Sequence, residues 1–438
     1  MPRKKKKNII LLIDVPQEGI LKVLKQIKER HQRTYKFMLM YDQKNAGRED
    51  RAVLKKFDHV VSCNYDSSDS IFNAIKPFQD QLAAAFCRIE SQILNFRKVV
   101  PHIPYLRTPT TDSLLWSTNK YQMRRKFSAY DKKITPKFML VKDKKKTTLS
   151  AIEKKIQFPL VIKPSGLAQS LLVSVVFHRE ELEKNLSQVF RKIKAIYKDA
   201  GGQRNDPEVL VEQFIEGEMY SIDGYINSRG MIYFCPMMAI KTGKQIGFDD
   251  FFGYQQITPT NLSKETIRDA EEVAEKGVRA LGLRSIPFHA ELLKRDKEWF
   301  IVEIGARVGG YRAELYELSY GIKHLANSVD ITIPKTPKIP RKIKAHSAFL
   351  KFFAKEEGII KNIKGLKKAQ ELKSMHTLMQ NKKIGDKATY AKNGGKSVFN
   401  VIMVNKDRPK LLADIRRLEQ MVKIETEKVA KKKKRRSR

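Results

Sequence analysis

Phe288-His289-Ala290-Glu291-Leu292, a turn at Arg295-Asp296-Lys297, and then Phe300-Ile301-Val302-Glu303-Ile304-Gly305-Ala306-Arg307-Val308-Gly309-Gly310 are the stretch that decides the fold. Two apolar runs, 287–294 and 298–304, flank a short polar turn, which is the pattern of two strands joined as a hairpin. Glu291 in the first run and Glu303 in the second stand among apolar neighbours. Two carboxylates directed inward from such strands are costly unless a cation meets them. Small, hard Mg²⁺ (or Mn²⁺) takes oxygen ligands, commonly one or two carboxylates together with substrate phosphates. A salt-bridged pair with a nearby Arg or Lys is the plainer alternative. Arg307 is a planar, permanent cation suited to charge that develops beside it, with a structural ion pair as its alternative. Gly309 and Gly310 let the backbone approach a ligand closely. His289 fits core packing as well as a place beside Glu291.

Three further pieces precede this one in a fixed order. Asn119-Lys120-Tyr121-Gln122-Met123-Arg124 belongs to a helix expected over 116–130, after a linker punctuated by Pro101, Pro104 and Pro109. Phe158-Pro159-Leu160-Val161-Ile162-Lys163-Pro164 puts a lysine at the end of an apolar strand. Val209-Leu210-Val211-Glu212-Gln213-Phe214-Ile215-Glu216-Gly217-Glu218, followed by Tyr220-Ser221-Ile222-Asp223, reads as one strand running through a turn into another. In a chain with 87 basic residues a lysine is ordinarily part of a solvated face. Lys163 departs from that because it follows three apolar residues and precedes a proline. Glu212 is either a surface carboxylate or an acceptor at the end of its strand.

Around this block the pattern alternates. Strands are expected at 8–15, 35–41 and 57–62, a helix at 19–30 and a helical stretch at 52–56, as in a parallel α/β layer. Residues 70–97 read as helical. No G-x-G-x-x-G follows the first strand, so no dinucleotide fingerprint is present. Strands at 158–162 and 171–177 read as an antiparallel hairpin. A long basic helix is expected at 180–199, strands at 209–214, 219–226 and 231–238, and helices at 264–281 and 312–326. Pro334, Pro337 and Pro340 mark a second linker. Beyond it come strands at 345–354, 358–363 and 397–404 and an amphipathic helix at 408–422. No internal repeat is found.

The 438 residues suit about two or three domains. At 41% hydrophobic, the chain can bury real cores. No apolar run approaches the roughly 20 residues that span a bilayer, so no membrane partner is expected. The basic start, with Lys4 to Lys7, reads as the lead-in to a buried strand rather than a signal peptide, because Asp14 interrupts a short apolar run. Cys63, Cys87 and Cys235 form no C-x-x-C pair and read as reduced thiols of a cytoplasmic protein. The eight histidines show no zinc spacing. A net charge of +39 attracts anions: nucleotides, acidic substrates, nucleic acid or an acidic membrane surface. The basic tails, Lys4–Lys7 and 431–438, read first as solvated, with nucleic-acid contact as the less favoured alternative.

The four pieces in this order resemble the ATP-grasp superfamily, nearest to carboxylate–amine ligases of the amino-acid ligase and carnosine synthase kind. The resemblance runs over about residues 100 to 330. It implies an α/β class fold (the α+β ATP-grasp fold) with an N-terminal α/β pre-ATP-grasp domain over 1–110. The ATP-grasp domain would cover 111–333, with a lid at about 135–215, then a small C-terminal α+β, β-rich domain over 341–427 and a basic tail over 428–438. It implies that Lys120 and Lys163 contact ATP phosphates. Glu212 and the backbone of Gln213, Phe214 and Ile215 would hold the adenine, with Glu218 near the ribose. Glu291 and Glu303 would bind the metal, and Arg307 and Lys163 would act on the transferring charge.

The activity implied is ATP-dependent joining of a small-molecule carboxylate to an amine through an acylphosphate. A carboxylase-like or formate-ligase-like acceptor, or a nucleotide-binding protein that binds polyanions without turnover, are the alternatives. Family members are often homodimers through the N-terminal domain, and no patch in this sequence marks such a surface. Three departures stand out. The loop after Lys163 has only Gly166 where the family is glycine-rich, Met219 stands where an acid is usual, with Glu218 adjacent, and Gly305 replaces a frequent Asn.

Overall fold

Ile9–Ile13 is buried throughout, an apolar strand with no polar face, and such strands belong inside parallel sheets covered on both sides. The computed structural model, which describes residues 7–166, 171–199 and 208–428, places it in a four-stranded parallel sheet. The order is His59–Cys63, Lys36–Asp42, Ile9–Ile13, Leu82–Cys87. Ile20, Val23, Leu24 and Ile27, one face of helix Gly19–His31, share a core with Ile10, Leu12, Phe37 and Leu39. Val308, Ala313, Leu325 and Val329, from far along the chain, complete that core.

The helix expected over 70–97 is corrected to a helix Ser68–Ile75, the strand Leu82–Cys87 and a helix Ile93–Val99. Three consecutive alanines, good helix formers, disguise the strand. Burial beside Ile9–Ile13 overrides that propensity. The helix expected over 116–130 is two helices, Thr111–Thr118 and Lys120–Tyr130. Asn119 separates them: its backbone is extended and its side chain accepts from Gln122 N at 3.0 Å, so Lys120 opens a new helix.

The chain packs as two units, each made of three separate segments. The first comprises 1–136, 215–237 and 261–342, and the second 137–214, 238–260 and 343–438. In the first unit, Glu298–Gly305, Ile286–Arg295, Glu218–Ile226 and Ile232–Phe234 pair antiparallel in that order. Helix Lys264–Ala280 packs on this layer at Gly277. A Cβ there would stand 2.4 Å from Ile301 Cδ1 and 2.5 Å from Ile304 Cδ1. The strand expected over 231–238 is shorter, Ile232–Phe234, and Met238–Thr242 is a separate strand. Pro236, which has no N–H to give a ladder, lies between them. The helix expected over 312–326 breaks at Gly321 (φ 78°), giving Arg312–Tyr320 and His324–Asp330.

In the second unit, Phe138–Val141, Val209–Gln213, Leu160–Pro164 and Ser174–Val176 form an antiparallel sheet. Helices Lys146–Lys155 and Arg179–Asp199 pack on it through Leu149, Ile152, Leu182 and Leu186. Its other strands include Gly253–Thr258, His346–Phe352, Phe399–Asn405 and Met375–Gln380, paired in that order. A small sheet of Lys387–Ala388, Gly358–Lys364 and Lys423–Glu427 stands beside them. Gly253–Thr258, Met375–Gln380 and Lys423–Glu427 were not legible as strands, because polar and lysine residues interrupt their apolar pattern. Residues 167–170 of the loop after Lys163, Lys4 to Lys6 and the tail at 429–438 lie outside the described residues. No helix among the described residues is long and apolar enough to cross a membrane.

Gly217 shows how tightly the first unit's strands enter one another. A Cβ there would lie 2.4 Å from Lys294 O, a backbone atom that cannot swing aside. Gly217→Ala is therefore expected to cost about 1–3 kcal/mol, the scale of overpacking. Urea unfolding would show it as a lower midpoint at unchanged slope.

Candidate active site

Arg295 pairs with Glu298 across the two-residue turn Asp296–Lys297, and an irregularity between Glu291 and Leu292 shifts the register of the hairpin. Glu291 pairs directly with Glu303, so the two carboxylates sit opposite each other across neighbouring strands. Like charges in that position repel unless cations intervene, and three are present. Lys120 Nζ lies 3.0 Å from Glu303 Oε2. Arg307 Nε donates to Glu90 Oε2 at 2.6 Å. His289 Nε2 lies 3.3 Å from Glu291 Oε1.

Each cation is held by the fold. Helix Lys120–Tyr130 is fastened to strand Glu298–Gly305 by its next turn. Arg124 Nη2 donates to Val302 O at 2.7 Å, and Met123 Sδ accepts from Ile304 N. That clamp sets Lys120 over Glu303. The Lys120 charge holds the Glu303 carboxyl down at about 2 against the opposing effect of burial, with Arg307 assisting. Burial alone would lower Lys120 and Arg307; instead Glu303 raises the first and Glu90, with Glu303, the second.

Asp223 supports the other side. It is fully buried on strand Glu218–Ile226. Its Oδ1 accepts from Gly309 N at 2.8 Å, and its Oδ2 faces His289 Nδ1 at 3.1 Å and Arg312 Nε at 3.4 Å. His324 Nε2 lies 3.5 Å from Oδ1, and Arg312 Nη2 donates to Ser221 Oγ at 2.9 Å. Burial would raise the Asp223 carboxyl, but His289, His324 and Arg312 together hold it well below the usual range. Burial would lower His289, and Asp223 and Glu291 raise it above its ordinary value. Both ring nitrogens of His289 thus face carboxylates, which suits the protonated ring. Gly309 is required here: a Cβ would lie 2.7 Å from His289 Nδ1 and 3.0 Å from Asp223 Oδ1. The loop that carries Arg307 is thereby tied down at its far end, and Tyr311, at φ 59°, completes the bend.

The expected residues of the second unit also meet. Glu212 stands opposite Val161 and Lys163 opposite Leu210, a diagonal pair on one sheet face. Lys163 Nζ reaches Glu212 Oε2 at 2.6 Å, both side chains nearly buried. Gln213 N donates to Lys137 O and Phe214 N to Pro159 O, both within that unit, so these two donors are engaged by the fold. Ile215 is a buried residue of the first unit. Glu218 is exposed and accepts from Tyr220 OH at 2.9 Å.

Sequence reasoning expected Lys120, Lys163, Glu291, Glu303 and Arg307 about the same phosphates, and did not foresee the pairing of Lys163 with Glu212. It missed Glu90, which belongs to no motif, and the roles of Asp223 and Arg312. For Asp223 a signal existed: Ser221 and Asp223 are polar at alternate positions of an otherwise apolar strand.

Among the described residues no three or more His, Cys, Asp or Glu side chains form a metal-holding group. A pair of opposed carboxylates suits Mg²⁺, which keeps waters and takes the rest of its shell from phosphates. It does not suit zinc, which wants four protein or near-protein ligands.

The cysteines take no part in this chemistry. All three are buried and unpaired. Burial pushes the Cys63 thiol up to about 12 and raises Cys87 and Cys235 as well. Because the thiolate is the reactive form, a disulfide reagent such as DTNB is expected to release no fast thionitrobenzoate from the native protein and three equivalents after denaturation, one for each Cys.

Comparison with known proteins bears on the same block. Residues 156–314 match the family model of the ATP-grasp domain. Alanine–anticapsin ligase of Bacillus subtilis (strain 168) is 31% identical over 185 residues, 39% of this chain and 38% of that ligase. D-alanine–D-alanine ligase of a Nitratiruptor species is 29% identical over 191 residues, 40% of this chain and 50% of that enzyme. The chain thus spans about half or less of the length of these curated relatives. The solved L-amino acid ligase from Bacillus licheniformis superposes with a TM-score of 0.73 at 18% identity, covering 97% of this chain and all of that one. The chain thus has an α/β ATP-grasp fold, and its residues 156–314 resemble the ATP-grasp domain.

Proposed function

We propose that the protein is an ATP-dependent ligase that joins a small-molecule carboxylate to an amine through an acylphosphate and releases ADP and phosphate. The observation that carries this reading is the gathering of Glu291, Glu303, Lys120 and Arg307 at one hairpin. The names of the relatives, ligases of alanine, support the substrate class. Glu291 and Glu303 would hold Mg²⁺ (or Mn²⁺). Such an ion supplies Lewis-acid charge at phosphate oxygens.

The substrate carboxylate oxygen attacks the γ-phosphorus of ATP, and the bond to the β–γ bridging oxygen breaks, leaving ADP. Lys120 binds phosphate oxygens from the start of its helix, where the N-terminal dipole adds to its charge. Arg307 meets the charge that spreads over the transferring group. The amine nitrogen then attacks the acyl carbon, phosphate leaves, and the nitrogen gives up its proton. No side-chain nucleophile is required.

In the second unit, Lys163 would serve the phosphates and the transferring charge. Glu212, with the chain at Gln213, Phe214 and Ile215, would serve the adenine, and Glu218 the ribose. Lys163 and Glu212 hold each other at 2.6 Å, so nucleotide would take both from an existing pair. We read 1–110, 111–333 and 341–427 as the functional parts, and the three reduced thiols as fitting a cytoplasmic setting.

The test is release of ADP and phosphate from Mg-ATP by the purified full chain, with amino acids and small carboxylates supplied singly and in pairs. Turnover that needs both a carboxylate and an amine supports the ligase. ATP binding with no turnover in any mixture would sink it.

A further inference from the structure

Proline recurs at every third position of the second linker, Pro334, Pro337 and Pro340, and a basic residue follows each one: Lys335, Lys338 and Arg341. Proline fixes its own φ and keeps the residue before it extended. Such spacing favours polyproline II, which has three residues per turn. Residues 335–341 accordingly form neither helix nor strand, and none of them has a positive φ. One edge of this strap therefore carries the prolines and another the three cations, spaced about 9 Å apart along it.

Packing within the first unit decides how the strap lies. Pro337 is buried. At Lys338 the strap is pinned by Asn327, whose Nδ2 donates to Lys338 O at 2.8 Å and whose Oδ1 accepts from Lys338 N at 3.1 Å. Further on, Arg341 Nη2 donates to Phe234 O at 3.1 Å. Lys335, Lys338 and Arg341 all stay exposed. Beside Arg341 runs a groove of about 510 Å³, lined by Lys264, Ile267, Arg268 and Glu271 of helix Lys264–Ala280. Those four positions share one face of the helix, and Glu265, Asp269 and Glu272 occupy the next. Glu271 thus stands as the acid of the groove against Lys264, Arg268 and Arg341.

Two features decide the ligand. A row of long, flexible cations suits a chain of phosphates, because such contacts draw on released counterions and tolerate many geometries. The groove, with Ile267 between its cations, suits a flat and partly apolar group carried beside the phosphates. A duplex keeps its bases stacked inside, whereas a single strand can offer one. An acidic peptide would satisfy the row and leave the groove unfilled. We propose that strap 335–341 and the start of helix Lys264–Ala280 bind single-stranded nucleic acid, with phosphates on Lys335, Lys338 and Arg341 and a base over Ile267. Phosphate contacts carry no sequence information, so binding is indifferent to sequence. The inference stands apart from the ligase reading and neither needs nor supports it.

The experiment follows the fluorescence anisotropy of a labelled oligothymidylate of about 20 nucleotides with the full chain over a range of salt. Wild type is compared with a triple variant of the strap, Lys335→Gln with Lys338→Gln and Arg341→Gln. A second triple variant, Lys367→Gln with Lys368→Gln and Lys373→Gln, removes the same charge from exposed positions elsewhere. Thermal unfolding confirms that each variant is folded. The strap variant should weaken binding about tenfold or more at low salt and reduce the slope of log Kd against log salt by about 2, as expected for three phosphates of a single strand. The second variant should change the affinity by less than about twofold. Unlabelled duplex of the same length and polyglutamate should each compete about tenfold less well than unlabelled oligothymidylate. Equal weakening in the two triple variants would mean that net charge alone holds the strand. Equal competition by polyglutamate would mark a surface for acidic polypeptides, and equal competition by duplex would mean that no base enters the groove. Absence of binding at low salt, or binding that the strap variant leaves unchanged, would mean that the strap touches no strand. Each of these results overturns the inference.

Discussion

Replacing Asp223 with Asn is expected to destabilise the protein by about 3–5 kcal/mol, the cost of removing one partner from a buried ionic cluster. The amide keeps the shape of the side chain but takes away the charge that His289, His324 and Arg312 share. Those groups are buried and cannot turn to water. The loss should appear in urea or thermal unfolding. A change below about 1 kcal/mol would show that the cluster contributes little to stability.

The pH dependence has two sides. The Asp223 carboxyl is held below its ordinary 3.8. Its contribution is therefore complete above about pH 4 and is lost as pH falls through the depressed folded value. His289 is raised above its ordinary 6.5. Its contribution is complete below about pH 6.5 and is lost as pH rises through the raised folded value. Wild type should thus lose stability toward both ends. Asp223→Asn should flatten both limbs, because the His289 shift depends chiefly on Asp223.

The second large effect concerns turnover. Glu303→Gln is expected to lower kcat for ADP release by about 10³-fold or more, the scale of losing a charge contact made in the transition state. The change keeps side-chain volume and leaves Lys120 its position over an amide oxygen. A charge-neutralising change at the exposed Glu265 should have no effect and serves as the control. If Glu303→Gln instead raises KM for ATP while kcat holds, Glu303 contributes binding alone. Full retention of both constants would remove it from the site.

The hairpin was readable in the sequence because its determinants are local. A two-residue turn, Asp296–Lys297, between two apolar runs makes the strands neighbours, and a bulge next to Leu292 then brings Glu291 opposite Glu303. Lys163 was readable for a similar reason, as a cation at the end of a run of buried residues. The Asp223 cluster was not, since its partners lie 66 and 86 residues away and meet it only after the sheet has closed. Glu90 was hidden more deeply, because it reaches Arg307 across 217 residues. The strand before it was itself concealed by Ala83, Ala84 and Ala85. Asn119 lies in plain sight, inside a run whose pattern reads as one helix. Its capping bond, made three residues on, gives Lys120 its place at a helix start.

The interleaving of the two packing units bears on how the protein is made. The parallel sheet over 9–87 shares its core with Val308, Ala313, Leu325, Val329 and Ile333. A ribosome at about 5–20 residues per second delivers the first hundred residues well before that covering layer emerges. During the interval Ile20, Val23 and Leu24 can cover one side of the sheet, and the positions reserved for the later helices stay open to water. The nascent chain therefore waits with an unfinished apolar face, and its final closure joins segments more than two hundred residues apart, the kind of contact that forms slowly. In vivo yield should accordingly depend more on what shields that face during synthesis than on the stability of the finished fold.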